Sequence, residues 1–465
     1  VLNFALTPLH TGVLEKSSYG INVDIYSYIA VLMVILTFGM ETAFFKFFND
    51  KKEDPSQVFS AALSWVLLLC LFFLGGTLAF LEPIAEVLRY DSDPRFVIWM
   101  LLIVCADAIT AVPFAKLRAE NRPMRFLFIR LSTIGIYILL NLFFYLLCPY
   151  LAKNGMASGL LDVVYDPQLG VAYIFISNLI SNAIMVLLFL PDYAQFNFRW
   201  TKPLLKRMLL YAAPLVIAGL AGISNEMASR QFLKYLLPEG EAMEAVGVFG
   251  AMMKIAMFMV LFIQAFRFAA EPFFFSGEGS FHNKMARVMR YFVVVQSLIF
   301  LALVCFTKLI QWTHFIDEKF WEGWHIVPIL IFANLLLGVN FNLNIWYKLQ
   351  NKTRMGAYIS FLGLGFTVLT NLLLVPAFGY TGSAWATLIT YAAMTAYSYY
   401  LNQKHDKTDY PLKAILQHIG LAVLLAYVSF YLLDAHLLWG FIIFVIYALY
   451  IYFSEGKQLI KVFKK

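Results

Sequence analysis

The chain has 465 residues, 61% of them hydrophobic and only 14% charged, with a formal net charge of +7 and four cysteines. Soluble domains carry about 25% charged residues, so this composition excludes a soluble core and indicates a polytopic membrane protein. The basic excess then concerns where the lysines and arginines lie along the spans, and nucleic acid is not called for.

Residues 56–81, 131–152, 167–191, 326–347 and 355–400 each contain no Asp, Glu, Lys or Arg, and each is long enough to cross the roughly 30 Å hydrocarbon layer as a helix. Barrel strands would alternate in hydropathy, which these continuous runs do not. Taken in order, residues 1–11 are apolar but too short to span and read as the tail of a helix that begins earlier, or else as a short interfacial segment. Thirteen complete spans follow, near 22–45, 57–81, 96–115, 126–150, 168–190, 207–229, 245–268, 290–312, 326–347, 356–376, 381–401, 414–433 and 437–454. The loops after every odd-numbered span, together with the span ends that flank them, hold 26 of the 35 basic residues, the asymmetry that cytoplasmic loops show. On this reading the C-terminus is cytoplasmic. Trp99, Trp312, Trp321 and Trp324 fall near span ends, as interfacial anchors do.

A weak internal repeat relates the two halves. Gly20 precedes the Glu41-Thr-Ala-Phe-Phe stretch much as Gly247 precedes Glu271-Pro-Phe-Phe-Phe, and Gly170-Val-Ala-Tyr matches Gly382-Ser-Ala-Trp. An even number of spans separates each pair, so the halves run the same way through the bilayer. The expected architecture is all-α: two parallel six-helix lobes, 1–200 (its first helix incomplete) and 201–403, two additional helices at 412–454, and a basic tail at 455–465.

Ionisable groups inside spans are costly and mark function unless paired. The candidates are Asp24 and Glu41 in the first complete span, Asp107 in the third, Glu226 with Arg230 near the sixth, and Lys254, Arg267 and Glu271 in the stretch 246–275. Glu226 and Arg230 are helical neighbours and read equally as a structural ion pair; Arg267 and Glu271 read as an interface-level pair; Asp107 reads as a hydrogen-bonding partner for a neighbouring helix. Lys254 has no carboxylate three or four positions away and is expected to face a central cavity. The cysteines Cys70, Cys105, Cys148 and Cys305 read as small buried hydrophobes. The seven histidines show no metal-ligand spacing and no Walker loop occurs, so no cofactor is expected, and transport would draw on an ion, voltage or substrate gradient.

Several stretches resemble the bacterial lipid-linked oligosaccharide flippases, the Wzx-like polysaccharide transport branch of the multidrug/oligosaccharidyl-lipid/polysaccharide exporter superfamily. They include DAITAVPFAKLRAENRPMRF, IQAFRFAAEPFFF, NIWYKLQNKTRMGAYISFLG and VPAFGYTGSAWATLITYAAMTAYSYY, and they cover both halves. The resemblance implies a fourteen-helix, V-shaped exporter of the inner membrane. It would move an undecaprenyl-diphosphate-linked repeat unit to the periplasmic leaflet by alternating access, in surface polysaccharide or O-antigen synthesis. Lys254, Arg230, Arg267 and Lys46 are carried over as anion contacts, and Glu41, Glu226, Glu271, Asp24 and Asp107 as coupling or gating acids. Membrane lipids, H+ or Na+, and polysaccharide assembly enzymes are the partners implied. NEMASRQFLKYLLP departs from the family pattern, with Ser229 where an Asp is expected. The competing readings are a cation-coupled multidrug antiporter or a peptidoglycan-precursor flippase of the same superfamily. An integral-membrane polymerase or glycosyltransferase would need a large catalytic loop, and no loop here has the size.

Overall fold

The structure is a computed structural model of the chain. It describes the backbone of all residues except 1, 156–158, 160–162, 198–199, 276–280, 351, 353 and 464–465, and the side chains of those residues other than 2–3, 269–275, 281 and 456–463. Among the described residues every regular element is helical. Eleven helices are long and apolar enough to cross a membrane. One of these, Arg354–His405, is two helices joined across non-helical backbone at Gly379, and Ala172–Leu188 is a further apolar helix of 17 residues. These helices follow the order of the thirteen spans read from the sequence. The chain is a multi-pass membrane protein.

The chain divides into two compact units, 1–227 and 228–465. In the first, α1 (Thr7–Val13) carries buried Thr7, His10 and Thr11, and His10 meets Asn141 at 2.8 Å. Next come α2 (Lys16–Thr37) and α3 (Met40–Phe48), which form one apolar span broken at Phe38 and Gly39. Both break residues have positive φ, 46° and 62°. Gly39 suits that conformation, and it lies against Ala212 and Val216. Helix α4 (Pro55–Ala79) starts where Asp54 accepts from the Ser56 amide at 3.1 Å, with Pro55 at its first position, a standard stop on unwinding. Helices α5 (Arg95–Ala119), α6 (Pro123–Leu142) and α7 (Ala172–Leu188) close the bundle. Phe114, Leu117, Ile129, Met185 and Phe189 are packed together among α5, α6 and the end of α7.

Helix α8 (Lys202–Leu236) runs from the first unit into the second. It is followed by α9 (Glu239–Phe275), α10 (Phe281–Cys305), α11 (Val327–Leu343), the broken α12 (Arg354–His405), α13 (Leu412–Tyr427) and α14 (Leu437–Phe463). The last two helices pack on α10, and Gly440 lets α14 approach the Cys305 carbonyl, 2.6 Å from where a Cβ would stand.

Large apolar side chains such as Phe72, Leu139 and Phe453 are exposed, as expected where the surrounding medium is hydrocarbon. Lipid removes most of the hydrophobic drive between helices, so small residues and interhelical hydrogen bonds hold the bundle, each bond contributing about 0.6 kcal/mol. Asn334 of α11 donates to the Ala256 carbonyl of α9 at 2.9 Å. Ser398 and Thr395 of α12 donate to Asn340 Oδ1 and the Leu336 carbonyl of α11 at 2.5 and 3.0 Å. All four cysteines are free and buried, as read from the sequence.

Candidate functional site

In the second unit the turn between α8 and α9 is only two residues long, so the end of one helix and the start of the next lie close together. Arg230, six residues before the end of α8, and Lys254, fifteen residues into α9, are both half-buried, and the arginine's charge acts on the lysine. Two half-buried like charges that act on one another raise the local potential for an anion. Among the described residues no carboxylate pairs with Lys254. The helix carrying Arg230 is itself pinned. Ser229 is buried, with its hydroxyl 3.4 Å from that of Thr387, while Ser383 donates to the Ser229 carbonyl at 3.4 Å and to Asn371 at 2.8 Å. The serine that stands in place of an expected Asp is thus a small buried residue held against Ser383 and Thr387, where a carboxylate would add volume and a buried charge.

Thirteen residues after Lys254 on α9, the exposed Arg267 donates to Gln264 at 3.3 Å and lies over the Phe341 ring at 5.1 Å. Its charge also acts on Lys348, a lysine that the sequence showed only as one of many loop cations. The sequence expectation of an Arg267–Glu271 pair concerns a side chain outside the described residues. A ring beneath the guanidinium holds it flat without neutralising it.

In the first unit Lys46 is exposed, and its ammonium lies 3.9 Å from the Tyr211 ring centroid. Glu41 is ion-paired with Arg118, whose guanidinium also lies over Phe45. Asp24 is fully buried and accepts a 2.7 Å hydrogen bond from the Tyr90 hydroxyl. Asp107 accepts from Asn182 at 3.1 Å, and the Arg130 charge acts on it, which matches the reading of Asp107 as a hydrogen-bonding partner for a neighbouring helix. Glu226 is exposed and forms no ion pair among the described residues. The ion pair that its spacing from Arg230 suggested is therefore not made. A short helical spacing permits a pair but does not require one when both side chains have water or another surface to reach.

Sequence reasoning missed two buried charge systems. Asp192, fully buried, receives Arg125 at 2.5 Å. Glu455 and His418, each about 2% exposed, meet at 3.4 Å, and Arg290 joins them. The available signals were a His within an apolar span and a Glu at the end of the last one.

No known family profile matches the chain. It is 22% identical over 451 residues to YabM of Bacillus subtilis strain 168, described as an uncharacterized membrane protein, covering 90% of this chain and 79% of the other. Among solved structures it superposes on the lipid II flippase MurJ, in an inward closed conformation. The TM-score is 0.66 at 12% identity, with 99% of this chain and 100% of that one covered. The chain shares the fold of that protein. An inward-facing multidrug resistance MATE family transporter of the MOP superfamily follows with a TM-score of 0.63, 15% identity, and 90% and 96% coverage. The bent form of the Vibrio cholerae MATE transporter VcmN gives 0.51, 14%, and 90% and 94%. At these identities the likeness concerns the fold.

Proposed function

We propose that this chain is a flippase that translocates undecaprenyl-diphosphate-linked oligosaccharide repeat units from the cytoplasmic to the periplasmic leaflet by alternating access. The observation that carries the reading is the half-buried Lys254, on which the Arg230 charge acts and with which no carboxylate pairs among the described residues. A diphosphate supplies more than one negative charge within the span of two such side chains, and charge-assisted hydrogen bonds to it are roughly twice as strong as neutral ones. Arg267 with Gln264 adds a cation and an amide suited to sugar hydroxyls. The sequence stretches that resemble the Wzx-like branch favour an oligosaccharide cargo. The same resemblance favours the bacterial inner membrane, and the uneven distribution of basic residues favours a cytoplasmic C-terminus.

A second reading is a cation-coupled drug antiporter. It is supported by the MATE neighbours and by the buried Asp24 and half-buried Asp107, groups suited to exchanging H+ or Na+. It accounts less well for the cation pair, because a cationic drug would be repelled there.

The test is complementation of a bacterial strain lacking its oligosaccharide flippase. Restored surface polysaccharide with no trapped lipid-linked precursor supports flipping. Persistent precursor together with acquired resistance to cationic dyes, with the protein present in the membrane, would transfer the assignment to the antiporter.

A further inference from the structure

Within the first unit, the break between α2 and α3 and the start of α8 line an open surface pocket of about 430 Å³. Its wall includes Phe38, Trp65, Trp200, Lys202, Lys206 and Leu209. Phe38 sits at the left-handed break, φ 46°, which places its ring edge-on to Trp65 at 5.8 Å. The Trp200 indole is already engaged, donating to Ser64 at 2.8 Å. The Trp65 indole N–H is buried and meets no acceptor among the described residues, and such an orphan costs about 1–3 kcal/mol.

Lys202 and Lys206 lie four residues apart in the first turns of α8, hence on one face, where like charges repel each other. An acid is present nearby, but Glu53 pairs with Arg207 at 2.7 Å. Among the described residues neither pocket lysine has an acidic partner. The amino end of a 35-residue helix adds a further partial positive charge.

We propose that this pocket binds an anionic phospholipid of the leaflet that the basic loops face. Lys202 and Lys206 would take the headgroup phosphate, Trp65 would donate to a phosphate or ester oxygen, and the apolar wall would take the first acyl carbons. A soluble phosphate would satisfy the lysines and leave the aromatic and aliphatic wall unused, which is why a lipid is the chosen occupant. The site does not depend on which substrate the protein transports.

Native mass spectrometry of the full chain released from nanodiscs tests this, with phosphatidylglycerol and phosphatidylcholine of identical acyl chains as probes. Phosphatidylglycerol should be retained preferentially. The K202Q/K206Q variant should lower its retention about tenfold or more, as two lysines at an anionic surface imply, and leave phosphatidylcholine unchanged. W65F should lower retention by a smaller factor. K51Q/K52Q, which removes two exposed loop lysines, should change nothing. Equal retention of the two lipids, or wild-type retention by K202Q/K206Q, overturns the proposal. Displacement of the lipid by millimolar glycerol 3-phosphate also overturns it and identifies a soluble phosphate site.

Discussion

The Arg290 guanidinium donates twice to one oxygen of Glu455, at 3.0 and 2.7 Å, and so ties α10 to α14 across 165 positions of sequence. His418 of α13 shares that same oxygen at 3.4 Å, and its carbonyl accepts from Tyr447 at 3.0 Å. The two C-terminal helices are therefore fastened to the second unit by charge as well as by packing. Removing one partner of a buried pair leaves the other desolvated and unpaired. Glu455→Ala should destabilise the protein by about 3 kcal/mol, at the low end of the range because Arg290 remains a quarter exposed. Arg290→Met with Glu455→Leu should recover most of the loss. Denaturant unfolding in detergent reads both; an additive double variant would show that the two residues do not act as a pair.

A methyl group at Gly382 would lie 2.2 Å from the Leu374 carbonyl oxygen and 2.6 Å from its carbon. The neighbour is backbone across the Gly379 break, so it has little freedom to withdraw. Gly382→Ala should cost about 2 kcal/mol or more and lower the yield of folded protein in the membrane. Gly365→Ala, where nothing lies within 4 Å, should be neutral or stabilise by about 0.5–1 kcal/mol through helix propensity. Thermal unfolding of the two variants side by side separates a local clash from a general intolerance of substitution.

Lys254→Met should reduce export in the complementation assay by about a hundredfold, as loss of a charged contact in a dry site costs roughly 3 kcal/mol, while membrane abundance stays normal. Lys254→Arg should retain substantial activity, since the charge and reach persist. If Lys254→Met exports as the wild type does, the cation pair is not the anion contact.

Asp93 lies in the loop before α5 and is held below the ordinary carboxylate range by hydrogen bonds from Arg95, at 2.7 and 2.8 Å. Asp434 is lowered likewise by Lys308, whose ammonium is 2.8 Å away. A depressed folded-state pKa contributes stability above the unfolded value, about 3.9, and loses it as pH falls through the folded value. The wild type should therefore exceed Asp93→Asn in melting temperature at pH 7, with the gap closing below about pH 4. A gap that is constant with pH would assign the effect to something other than this ion pair.

The spans, their order and the basic loops were legible in the sequence, because a helix crossing a bilayer must be apolar over its whole length and charge is expelled to its ends. Even the Gly382 motif carried meaning, since only glycine fits that approach. Arg230 and Lys254, by contrast, gave no local sign of acting on one another, and the Glu226–Arg230 spacing suggested a pair that is not made.

The sequence by itself determined the helical class, the number of long apolar spans and a short set of ionisable residues worth attention. Tertiary structure decided which of them meet. It put Lys254 within the influence of the Arg230 charge, gave Glu41 to Arg118 and Asp24 to Tyr90, and drew Arg290, His418 and Glu455 together. The physical reason is that hydropathy is a property of each segment, readable one window at a time, whereas the fate of a charge depends on partners that only helix packing brings within a few ångströms.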